Sequence, residues 1–219
     1  MKKHNKGINL KRPRAVLFDT DNTLYDYAFA NKVGEAAVRK KAQNLLGIEQ
    51  GEFSKLYLKA KKEIKLQLGN TASSHSRLLY YQRVIELLGL RAHLLISLDF
   101  EQTFWRTFLA NAPLFSDVKI TLNLLRSHKV PIAIVTDLTA HIQLRKLTYF
   151  GLEDIFDAVV TSEEVGIDKP DKKNFELVMK KLKINSSESI WMVGDNPYTD
   201  IFGAKEFGAI TFQKLHKGV

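Results

Sequence analysis

The 219-residue chain contains no cysteine, which removes disulfides, thiolate-bound zinc and a cysteine nucleophile from consideration. No apolar run approaches the ~18 residues that a membrane span needs. Residues 1–14 have no Asp or Glu against six Lys/Arg. No apolar stretch of signal-peptide length follows them, so they do not read as a secretory signal, and a cytoplasmic address is expected. A phosphate-cradling Gly-rich loop, a G-x-S-x-G elbow and an H-E-x-x-H pair are all missing. The six histidines lack the spacing of metal ligands. Neither an internal repeat nor a low-complexity segment occurs.

What is present is ordinary in bulk and uneven in detail. Apolar content of 45% and charged content of 26% suit a globular protein, and the length allows one domain with an inserted module. The net charge of +9 is concentrated in two places. Residues 1–14 are wholly basic, and residues 26–115 carry thirteen Lys/Arg against eight Asp/Glu. The remainder is slightly acidic, with fourteen against sixteen. The basic tail is read as a solubilising end rather than a nucleic-acid-binding arm. Neither nucleic acid nor membrane is expected as a partner, and the composition says nothing about oligomeric state.

Along the chain, Ala15 to Phe18 reads as a buried strand that ends in two acids, Asp19 and Asp21. Four helical segments follow. The first spans residues 28–46. The second carries Phe53, Leu56, Ala60 and Ile64, and the third Leu78, Tyr81, Ile85 and Leu88, capped by Ser73 or Ser74. The fourth, from about His93 to Ala110, sets Phe100, Phe104 and Phe108 on one face. They make a helical module rather than a loop. Strands and helices alternate afterwards. Strands are expected at 131–136, 156–160, 189–193 and 209–212, and helices at 118–128, 139–150, 172–182 and 204–207. This is the pattern of an α/β protein with a parallel sheet covered on both faces.

Polar residues recur at the strand ends. Strand one ends in Asp19 and Asp21, and strand two in Thr136-Asp137. The loop after strand three holds Asp168-Lys169-Pro170. Strand four runs into Gly194-Asp195 and on to Asp200. In a parallel sheet all four sets gather at one edge, where α/β proteins bind ligands. Taken singly each has a plain explanation. Thr136 could cap a helix, Lys169 could lie on the surface, and the acids could form solvated turns. Two carboxylates as close as Asp19 and Asp21 otherwise call for positive charge between them, such as a hard divalent cation.

Together, Phe-Asp19-Thr-Asp21-Asn-Thr-Leu, Ile-Val-Thr136-Asp, Asp-Lys169-Pro and Val-Gly-Asp195-Asn-Pro-Tyr-Thr-Asp200 resemble the four ordered motifs of the haloacid dehalogenase-like superfamily. The helical segment between the first two resembles that family's inserted cap. The resemblance implies a Rossmann-like sheet of strand order 5-4-1-2-3. It divides the chain into a tail (1–13), a core (14–25 and 116–219) and a cap (26–115). The second motif often ends in Asn, where this chain has Asp137, but its chemistry rests on Thr136.

The resemblance also implies roles. Asp19 would attack phosphorus, and Asp21 would protonate the leaving oxygen and later take a proton from water. Mg²⁺ would be bound by the Asp19 and Asp195 carboxylates and the Asp21 backbone carbonyl. Asp200 would hold metal-bound water or Lys169. Thr136, Asp137, Lys169 and the backbone amide of Thr20 would contact the phosphoryl group. In the cap, His75 and Arg77 are candidates for substrate contact, and equally for an exposed helix start. Tyr25 and Tyr27 either meet the leaving group or pack beneath the cap. Family dehalogenases lack the acid matching Asp21, and family ATPases need membrane spans. The expected activity is therefore Mg²⁺-dependent hydrolysis of a small phosphorylated metabolite: a nucleotide, sugar or organic-acid phosphate. A sugar phosphomutase and a non-catalytic phospholigand-binding protein are the alternatives.

Overall fold

The computed structural model describes residues 2–3, 11–187 and 189–215. The chain divides into two compact units, 1–26 with 114–219, and 27–113.

The first unit is built on a six-stranded sheet. Its strands are β1 (Lys2–Lys3), β2 (Ala15–Phe18), β3 (Ile132–Thr136), β4 (Ala158–Thr161), β5 (Ile190–Gly194) and β6 (Ile210–Gln213), in the order β1-β6-β5-β2-β3-β4. Omitting β1 and counting from β2, this order is the 5-4-1-2-3 implied by the motifs. The pairs β6-β5, β5-β2, β2-β3 and β3-β4 are parallel. Every residue of β2 and β3 is buried, as expected for central strands covered on both faces. Ala15, Leu17, Ala133, Val135, Ile190 and Met192 pack with Phe175, Val178 and Met179 of the helix Lys172–Lys181 into one core. These strand residues alternate in sequence, as a pleated sheet requires.

β1 departs from the expectation of a free tail. Lys2 and Lys3 pair antiparallel with Gln213 and Phe212, extending the sheet by one edge strand. Residues 4–10 of the basic tail lie outside the described residues. Two lysines carry little apolar signal, so only backbone pairing makes them a strand. Charged side chains on such an edge also discourage pairing with a further chain.

The second unit is a helical bundle of α1 (Tyr27–Leu46), α2 (Gln50–Leu68), α3 (Arg77–Leu87) and α4 (Leu94–Ala110). The buried stripe of α1 is small: Ala30, Gly34, Val38 and Ala42. It faces the large stripe of α4 that includes Phe100, Phe104 and Phe108. Residues at i and i+4 form ridges that interlock with the partner's grooves. Gly34 marks the closest approach, because an added Cβ there would lie 2.9 Å from Phe104 Cδ2. Serines 73 and 74 fall in a short 3₁₀ turn, Ala72–His75, instead of capping α3. Ser76 is the cap, its hydroxyl accepting from the Leu79 amide at 3.4 Å.

The helices of the first unit are α5 (Val118–Ser127), α6 (Ala140–Tyr149), α7 (Ser162–Val165), α8 (Lys172–Lys181) and α9 (Gly203–Glu206). A π-helical turn, Pro197–Phe202, follows β5. Among the described residues no helix is long and apolar enough to cross a membrane.

Candidate active site

Parallel register brings the strand ends together. Phe18 pairs with Val193 of β5 and Ile134 of β3, so the next residues emerge at one edge. The Asp19 amide donates to the Val193 carbonyl at 2.9 Å, which carries the pairing one residue past the strand. The chain then turns sharply. Thr23 and Leu24 amides donate to the Thr20 carbonyl at 3.3 and 2.8 Å, and Asn22 takes a positive φ of 59°, a conformation Asn tolerates. The turn leaves the Asp19 side chain buried and the Asp21 side chain about a third exposed, at 32%.

Lys169 is the cation of the site. Its side chain is almost wholly buried, and Nζ lies 2.7 Å from Asp19 Oδ1, 2.6 Å from Asp200 Oδ1 and 3.0 Å from the Val135 carbonyl. Its backbone amide donates to Asp137 Oδ1 at 2.9 Å, which ties the lysine loop to the end of β3. Burial disfavours the ammonium, but the surrounding Asp19, Asp200 and Asp137 outweigh it and push the Lys169 pKa well above its usual range. The lysine is therefore charged at neutral pH.

Burial has the opposite result at Asp19. It pushes this carboxyl well above the usual range, Lys169 opposes the rise, and the charges of Asp200 and Asp21 add to it. Oxygen atoms of Asp19, Asp195 and Asp200 all lie within 4.8 Å of one another. Three carboxylates against one ammonium leave surplus negative charge in a low-dielectric place, and hard oxygen donors fit a divalent cation such as Mg²⁺. Asp200 reaches this group from the π-helical turn, where its Oδ2 also accepts from the Asn196 amide at 3.0 Å. The residue before Asp195 must be small. A Cβ on Gly194 would lie 2.5 Å from the Asp200 carboxyl carbon.

Asp21 points elsewhere. Its Oδ1 accepts from Lys146 Nζ at 2.8 Å, from Thr20 Oγ1 at 3.2 Å and from the Tyr25 hydroxyl. Burial would raise its pKa, but Lys146 by charge and hydrogen bond, then Tyr25 and Thr20, lower it below the usual range. The Thr136 and Thr20 hydroxyls lie 2.8 Å apart, and Gln143 Nε2 donates to Thr136 Oγ1 at 2.9 Å and to the Asp137 carbonyl at 2.7 Å. Asp137 is half-buried, and burial raises its pKa despite Lys169.

Gln143 and Lys146 were not singled out from the sequence. Both lie on the buried face of α6 with Ile142 and Leu147. A signal existed: two polar residues interrupt an otherwise apolar helical stripe. In the helical unit, Arg77 is buried among aromatic residues, donating to Tyr27 Oη, to Asn31 Oδ1 at 2.9 Å and to the His75 carbonyl at 3.1 Å. His75 is half-buried. Tyr27 packs on Phe108, with ring centroids 5.4 Å apart.

The chain matches the haloacid dehalogenase-like hydrolases over residues 13–208. It is 41% identical over 198 residues to a ribulose-1,5-bisphosphate 5-phosphatase of Halopiger xanaduensis, covering 90% of this chain and 82% of that protein. A glyceraldehyde 3-phosphate phosphatase of Methanothermobacter thermautotrophicus is 31% identical over 196 residues, covering 89% and 82%. The human N-acylneuraminate-9-phosphatase is 31% identical over 205 residues, covering 92% and 82%. Among solved structures, a phosphatase from Thermococcus onnurineus superposes with a TM-score of 0.72 at 26% identity, covering 94% of this chain and 87% of that one.

Proposed function

The chain belongs to the haloacid dehalogenase-like hydrolases, and on that premise we propose that it is a Mg²⁺-dependent phosphatase of sugar phosphates, working through an aspartyl phosphate on Asp19. The observation that carries this reading is the buried Lys169 ammonium 2.7 Å from Asp19 and 2.6 Å from Asp200. It sets a fixed positive charge beside a carboxylate nucleophile, as phosphoryl transfer needs. The relatives named above act on phosphate esters of sugars or a sugar acid, which supports the substrate class. Such phosphorylated metabolites are charged and do not cross membranes unaided, so the reaction is assigned to the cytoplasm.

An Asp19 carboxylate oxygen attacks phosphorus in line with the ester oxygen. Lys169 and the Thr136 hydroxyl hold phosphoryl oxygens as their charge spreads. Asp21, a carboxylate in the free site, takes up a proton from solvent once the anionic phosphate binds beside it, then gives it to the departing alkoxide as the phosphorus–oxygen bond breaks. Water then attacks the aspartyl phosphate, Asp21 takes its proton, and the bond to Asp19 breaks to release inorganic phosphate. Mg²⁺, held by the Asp19 and Asp195 carboxylates and the Asp21 carbonyl, with Asp200 nearby, would supply further positive charge against those oxygens. Thr20 and Asp137 act through the loop backbone around the phosphate. An acid at position 21 also speaks against a dehalogenase, whose halide leaving group needs no proton.

The test is phosphate release from a panel of phosphorylated metabolites and p-nitrophenyl phosphate. Turnover should require Mg²⁺, stop with EDTA and fall at least a thousandfold in Asp19→Asn, on the order of what removal of a catalytic nucleophile costs. Activity that survives Asp19→Asn removes the aspartyl-phosphate mechanism. Phosphate returned to an isomer of the substrate would identify a mutase, and silence across the panel a binding protein.

A further inference from the structure

We infer that Lys146 is a positioning residue for proton transfer: it clamps one oxygen of Asp21 so that the other, Oδ2, serves the leaving group. The inference rests on the phosphatase reading above and adds a residue that lies outside the four motifs. Lys146 sits on α6, 125 residues from Asp21 in sequence, and its side chain is 1% exposed. A buried lysine is costly unless its charge is used. Here Nζ lies 2.8 Å from Asp21 Oδ1 and 5.7 Å from the centre of the Tyr25 ring.

The arrangement is one-sided. Lys146, Tyr25 and Thr20 all bond to Oδ1. Among the described residues no hydrogen bond to the Asp21 carboxylate falls on Oδ2. An oxygen that already accepts from an ammonium and two hydroxyls has no lone pair left for a proton. The transferable proton is thereby confined to Oδ2. The Tyr25 ring packs on Phe150 with centroids 4.8 Å apart, which fixes one wall of the clamp. Rotation of the carboxylate that exchanged its two oxygens would break the ion pair, so one oxygen keeps facing the reaction. When the ester bond breaks, its electron pair stays on the alkoxide oxygen, which takes the Oδ2 proton. In hydrolysis the attacking water returns a proton to Oδ2.

A positioning role predicts a dependence on the leaving group that a structural role does not. Alkyl phosphates need a proton on the departing oxygen, whereas p-nitrophenolate departs well without one. The quantity to read is kcat/KM, which covers steps through formation of the aspartyl phosphate. Lys146→Met should lose on the order of a hundredfold on the best sugar phosphate of the panel, the lower end of a general acid's contribution, and several-fold at most on p-nitrophenyl phosphate. Asp21→Asn should show the same selectivity, and Lys146→Arg should recover much of the loss. Equal losses on both esters, or no loss on the sugar phosphate, overturn the inference. Should Lys146→Met not fold, the shorter but polar Lys146→Gln carries the same comparison with the same two outcomes. Failure of the phosphatase reading looks different: the wild type would turn over neither ester, and the inference falls with it.

Discussion

Individual side chains at the site trade stability for chemistry. The folded pKa of Asp19 lies above its unfolded value, because burial disfavours the carboxylate more than Lys169 favours it. Stability from the protonated form is present at low pH and lost as pH rises through the folded value. Lys169 is also raised, so its contribution is fully present at neutral pH and is lost only in strongly alkaline solution. At pH 7 without divalent metal, Asp19→Asn should therefore melt above the wild type, because it replaces a carboxylate that burial disfavours with a neutral amide. Adding Mg²⁺ should raise the melting temperature of the wild type more than that of the variant. Protons compete with the cation for these carboxylates, so the Mg²⁺-induced shift should shrink as pH falls toward about 5. Thermal melts across pH and Mg²⁺ concentration read all three. A metal-free variant that melts below the wild type at pH 7 would show that the ion pair with Lys169 outweighs the cost of burying Asp19.

At the scale of elements, the fit of α1 to α4 depends on one residue without a side chain. Gly34 lets Phe104 approach closely enough that a Cβ would meet its ring carbons at 2.9 and 3.0 Å and its carbonyl at 3.2 Å. A ring can rotate, but a backbone carbonyl within a helix cannot. Gly34→Val should destabilise the helical unit by about 1–3 kcal/mol through overpacking, and Phe104→Ala by about 3–5 kcal/mol through the cavity it leaves. Urea denaturation followed by circular dichroism measures both, and an unchanged midpoint in Gly34→Val would mean that the two helices can part at little cost. The phenylalanine stripe of α4 was legible in the sequence because 3.6-residue periodicity sets Phe100, Phe104 and Phe108 on one face. Its small partner stripe on α1 was not, because Ala and Gly carry no strong apolar signal. The cap of α3 was misplaced for a local reason. Ser73, Ser74 and Ser76 are equivalent candidates by type, and the 3₁₀ turn that consumes the first two has no marker of its own.

Over the whole molecule, the site is carried by strands β2 to β5, while β1 pairs with β6 at the sheet edge. Deleting residues 1–12 should leave kcat/KM on a small substrate within about twofold, since among the described residues β1 pairs with Phe212 and Gln213, neither of which is a site residue. The loss of edge pairing and of the Arg12 bond to the His128 carbonyl should lower the melting temperature by a few degrees, about 1 kcal/mol. A large loss of activity in the shortened protein would give the basic segment a catalytic part.

The sequence alone determined that strands alternate with helices, that a helical module interrupts them, and that acids and one lysine stand at strand ends. Those are properties of periodicity and of position relative to an apolar run, which a chain carries locally. Tertiary structure decided which oxygen meets which cation. Lys169 joins Asp19 and Asp200, and Lys146 takes Asp21, by contacts spanning 150, 31 and 125 residues. No local pattern encodes such choices. They follow from parallel register, which aligns strand ends to within a residue, and from burial, which makes every unpaired charge costly enough to find a partner.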